Sequence, residues 1–104
     1  MGASFKDLVV WQRAVQLSTE IYRLTASSPP SEQFGLINQM RRASVSIASN
    51  IAEGYGRTTK GEYLQFLGHA RSSNCEMQTQ LIISKALGFG AMKAYEPVDG
   101  CPRT

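Results

Sequence analysis

From Leu8 to Leu24 the large apolar residues recur at helical spacing along two neighbouring stripes. Leu8, Trp11, Val15 and Tyr22 form one, and Val10, Ala14, Leu17, Ile21 and Leu24 form the other. Spacings of three, four and seven residues bring side chains to one face of a helix, so the pattern predicts a helix from about Asp7 to Ala26. Ser27, Ser28, Pro29 and Pro30 end it, because a proline drives the residue before it out of helical angles.

A second helix is predicted from Ser31 to Tyr55. Ser31 supplies an N-cap oxygen and Glu32 a negative charge in the first turn. Gly54 and Gly56 mark its end, and either suits the left-handed angles of a helix C-cap. A third helix is predicted from Thr59 to Leu87, with Gly88 as its cap. Thr59-Lys60-Gly61-Glu62 matches a capping box, in which hydroxyl and carboxylate satisfy each other's orphan amides. No segment alternates with a strand period over a useful length. The chain is therefore all-α, with three long helices. Residues 89–104, FGAMKAYEPVDGCPRT, predict an irregular tail. Ala91 to Glu96 has room for a short helical turn, but Pro97, Gly100 and Pro102 forbid a long one.

The second helix carries more apolar surface than one core needs. Ala43, Gly54, Ile47, Met40, Ile51, Ser44, Tyr55, Ala48, Ala52 and Val45 share an arc interrupted by one charge, Arg41. At about 100° per residue that arc spans roughly 200°, against the ~100° stripe of an ordinary surface helix. The third helix shows the same excess. Tyr63, Phe66, Leu67, Ala70, Met77 and Leu81 make its main stripe, and Leu64, Gly68, Cys75 and Ile82 a second. Helices packed within one chain bury one stripe each. The surplus predicts burial against another subunit, with Ala48, Ala52 and Gly68 permitting close approach. The plainer alternative is that these small residues are helix-favouring filler.

The chain has 104 residues, which sets one domain as the expectation, here 1–104. An apolar fraction of 42% and a charged fraction of 18% fit a globular protein. No run approaches the ~18 apolar residues of a membrane helix, and the N-terminus lacks the layout of a secretory signal. A cytoplasmic location is expected, with Cys75 and Cys101 as free thiols. The net charge of +3 permits contact with nucleic acid without demanding it.

Arg41, Arg42, Arg57, Lys60 and Arg71 are the candidate nucleic-acid contacts. Phosphate binding needs only accessible cations, and the alternative is an ordinary solvated surface. Asn50 and Glu53, beside the apolar arc, join Gly54 and Gly56 as a candidate structural or interface motif. Asn50 and Glu53 either hold a hydrogen-bond network at a subunit contact, or Asn50 bonds a neighbouring helix and Glu53 pairs with Arg57 at i+4. Glu62, His69 and Glu76 share a face but stand about 10.5 Å apart along the axis. Metal-ligand bonds are about 2 Å, so one ion does not take two of them, and no metal or cofactor is expected. Cys75 is expected to be packed rather than reactive. Asn74, in the main stripe of the third helix, is a candidate for fixing register. No acid-base or nucleophile constellation emerges, so no enzymatic activity is expected.

Three segments carry a family resemblance. Q-x-R-R-A-x-x-S-I-x-x-N-I-A-E-G-x-G-R, from Gln39 to Arg57, resembles the signature of the bacterial four-helix-bundle family, also described as the large-subunit ribosomal RNA intervening-sequence protein family. F-K-D-L-x-V-W-Q-x-A, from Phe5 to Ala14, is similar to its first helix. E-Y-x-x-F-L-x-x-A-R-x-S-x-x-E-x-x-T-Q-L, from Glu62 to Leu81, is similar to its third. The resemblance covers about residues 5–89. It implies an up-and-down antiparallel helical bundle and assembly into a ring-shaped homopentamer. The related accessory proteins of diversity-generating retroelements imply RNA or a nucleoprotein as partner, met through a basic surface. No membrane partner is implied. Relatives carry a fourth helix after the position of Gly88, which here is missing or reduced to a stub.

Overall fold

Three helices form because three stretches with apolar residues at helical spacing are separated by proline and glycine breaks. The computed structural model describes residues 4–28, 30–32 and 35–88, and among them every regular element is helical. α1 spans Val9–Thr25, α2 Leu36–Tyr55 and α3 Lys60–Ala86. The expected tail and fourth-helix stub lie outside the described residues.

Two helix starts differ from the expectation. Phe5–Asp7 is a separate 3-10 turn, not the beginning of α1. The Ser4 hydroxyl accepts from the Lys6 amide, and the Asp7 carboxylate accepts from the Ser4 amide at 3.1 Å. These bonds close the turn on itself. Leu8 then takes extended angles, so the helix restarts at Val9. Ser31 lies inside a second 3-10 turn, Pro30–Glu32, and does not cap α2. Gly35 stands at the N-cap without a side-chain bond, and no acidic residue falls in the first turn. Pro30 suits the start of the short turn, since it needs no amide partner there.

The helix ends are closer to the expectation. Thr59 caps α3 by accepting from the Glu62 amide at 3.2 Å. The Glu62 carboxylate takes the Thr59 hydroxyl, so the pair forms half of the expected box. Gly88 has φ +76 beyond the end of α3, the left-handed angle that glycine adopts without a steric penalty. Gly54 and Gly56 do not use that freedom. Gly56 is right-handed at φ −83, with its amide directed to the Ala52 and Glu53 carbonyls.

α2 is the central helix, with α1 on one side and α3 on the other. Cross-helix contacts give the directions. Thr25 near the end of α1 meets Arg41 near the start of α2, and Ser18 meets Ser44. Ser46 meets Ser73, while Gly54 near the end of α2 lies against Phe66 near the start of α3. Neighbouring helices therefore run antiparallel. The core is Ala14, Ile21 and Leu24 from α1, Ile37, Met40, Ala43, Ile47 and Ile51 from α2, and Ala70, Met77 and Leu81 from α3.

The doubled stripes divide between core and surface. On α1 the Ala14, Ile21, Leu24 stripe is buried, while Val15 and Tyr22 of the other remain exposed. On α3 Ala70, Met77 and Leu81 of the main stripe are buried, Phe66 and Leu67 are half-buried and Tyr63 is exposed, while Leu64 and Ile82 of the second are 52% and 63% exposed. Cys75, expected to be packed, is exposed, because its stripe faces away from α2.

Candidate interaction surface

The Gln39–Arg57 stretch joins the helices by small contacts on two of its faces. Toward α1, the Arg41 Nε donates to Thr25 Oγ1 at 2.8 Å, and its guanidinium lies 4.8 Å from the centre of the Tyr22 ring. One turn on, the Ser44 hydroxyl donates to the Arg41 carbonyl at 2.8 Å and meets Ser18 Oγ at 3.2 Å. Toward α3, Ser46 Oγ and Ser73 Oγ are hydrogen-bonded at 2.9 Å. The Asn50 amide donates to the Ser46 carbonyl at 2.8 Å and to its hydroxyl at 2.9 Å. Asn50 thus reaches α3 through Ser46. Each such rung adds on the order of 1 kcal/mol and sets the register between helices.

Small size matters at the far end of the same stretch. A β-carbon on Gly54 would stand 3.0 Å from Phe66 Cβ and 3.3 Å from the Tyr63 carbonyl oxygen. Gly54 is buried there, where α2 and α3 approach so closely that a β-carbon would need Phe66 and the Tyr63 backbone to give by a few tenths of an ångström. Glu53 points outward and pairs with Arg57 at 3.0 Å, the i+4 pair. The Arg57 guanidinium also lies 4.5 Å from the centre of the Phe66 ring. Gly56 is exposed.

The five candidate cations fall in different surroundings. Arg41 is half-buried and held by α1, and Arg57 is held by Glu53 and Phe66. Lys60 is exposed at the start of α3, two residues before Glu62. Arg42 and Arg71 are exposed on different helices, α2 and α3. Glu62, His69 and Glu76 are exposed along α3, with His69 edge-on to Phe66 at 6.0 Å between ring centres. Among the described residues no three His, Cys, Asp or Glu side chains come together.

A groove of about 490 Å³ opens between α1 and α2, lined by Trp11, Val15, Ser18, Thr19, Tyr22, Val45, Ala48, Ser49 and Ala52. Ala48 and Ala52 make one wall shallow. Trp11, Val15 and Tyr22 form the other, with the Trp11 ring braced edge-on by Phe5 at 5.2 Å. The groove holds apolar surface with few polar groups and no catalytic arrangement.

The family described as 23S rRNA-intervening sequence protein matches residues 6–100, nearly the whole chain. The chain belongs to that family. Among curated proteins none matches it. The match extends beyond residue 89, where the sequence resemblance stops, into residues outside those described. This intervening-sequence protein family is not a known enzyme family. Among the described residues no helix is long and apolar enough to cross a membrane.

Within this family member, sequence reasoning missed several buried polar groups. Gln80 and Ser84 lie buried on α3, and Thr25 and Ser28 at the end of α1. Asn74 is buried as its stripe implies, and accepts from the Gln78 amide at 3.2 Å in one of its bonds. The Ser46–Ser73 rung was also missed, since Ser46 falls on the polar arc of α2. Its only sequence signal is a pair of short hydroxyl residues, one on each helix.

Proposed function

We propose that the protein is a non-enzymatic scaffold that assembles with copies of itself, as a pentamer, and meets RNA or a nucleoprotein through its exposed cations. One observation carries the assembly reading: apolar surface stays uncovered on two separate flanks of the chain. One flank is the α1–α2 groove, and the other is the exposed α3 stripe holding Leu64 and Ile82. Large apolar side chains left exposed on one helix face suit a contact with another chain. A groove on one copy and a ridge on the next join head to tail, which closes into a ring when the rotation permits.

The RNA part rests on the family's description and on Arg42 and Lys60, which are exposed; Arg71 lies on the α3 stripe between Leu64 and Ile82 and goes with the subunit contact instead. Repetition around a ring multiplies a weak patch. The second reading, a protein–protein module without nucleic-acid contact, is favoured by the half-buried tie of Arg41 to Thr25 and Tyr22. Light scattering on the eluting protein tests assembly first. A mass near five times 11.4 kDa supports the pentamer, and a monomer overturns it. Titration with RNA at rising salt separates the two partners. Affinity that falls steeply with salt supports phosphate contact, and no RNA binding at low salt supports the protein module.

A further inference from the structure

We draw no further inference here: the strongest candidate, the open apolar groove between α1 and α2, belongs to the self-association already proposed, and nothing in the structure shows what else covers it.

Discussion

Gly54 and Phe66 meet at the closest approach described between a glycine and a neighbouring helix, with 3.0 Å between a would-be β-carbon and Phe66 Cβ. The second obstacle, the Tyr63 carbonyl oxygen at 3.3 Å, belongs to the backbone of α3 and cannot swing aside. Replacing glycine by alanine in an open helix gains about 1 kcal/mol from propensity alone. Here overpacking outweighs that gain, so Gly54→Ala is expected to cost about 1–3 kcal/mol. Gly61→Ala, with nothing within 4 Å, is the control and is expected to be neutral or mildly stabilising. Urea unfolding of both variants checks the pair, and equal midpoints would sink the close-crossing account.

Gln80 offers a prediction of opposite sign. Its carbonyl oxygen is buried without a hydrogen-bond partner, and its amide reaches Glu76 only at 3.5 Å. A buried acceptor that loses water without replacement costs about 1–3 kcal/mol. Methionine has a similar volume and no such acceptor, so Gln80→Met is expected to hold or raise the unfolding midpoint. A clear loss of stability would mean that the amide holds a bond worth keeping.

The cations are expected to split by role. Arg41→Ala removes a hydrogen bond to a buried hydroxyl and a guanidinium–ring contact, and is expected to cost about 1.5–3 kcal/mol of stability. Arg42→Ala and Arg71→Ala are expected to leave thermal unfolding within about 0.5 kcal/mol, because both side chains are exposed. If RNA binds as proposed, the Arg42 variant weakens it and flattens its salt dependence. Unchanged binding in that variant would remove Arg42 from the contact.

Head-to-tail assembly is expected to show in a mixing experiment. Val45→Asp places a charge in the α1–α2 groove, and Ile82→Asp places one on the α3 stripe. Each variant alone is expected to elute as a monomer, because one half of every contact is spoiled. Mixed, the intact stripe of one variant fits the intact groove of the other, giving a species of two chains. A mixture that stays monomeric, or a single variant that still assembles fully, would rule out this pairing of surfaces.

The helices were legible along the chain because their signals are local. Period, proline breaks, the Thr59 cap and Gly88 all act within a few residues, and α2 and α3 end within a residue or so of the expected positions. The doubled apolar stripes were legible too, since they follow from residue order and helix pitch alone. Which stripe enters the core depends on where the neighbouring helices stand. Val10 and Ala14 share a stripe, yet Ala14 is buried while Val10 is 44% exposed. Tertiary packing also decided the use of Gly54, which reads as a helix stop and serves as a crossing point. It gave Arg41, a candidate phosphate contact, a bond to Thr25 that ties α2 to α1, and it paired Ser46 with Ser73 across 27 positions of sequence. A sequence pattern fixes the direction in which a side chain leaves its own helix, but the group that it meets is set by the packing of a distant segment.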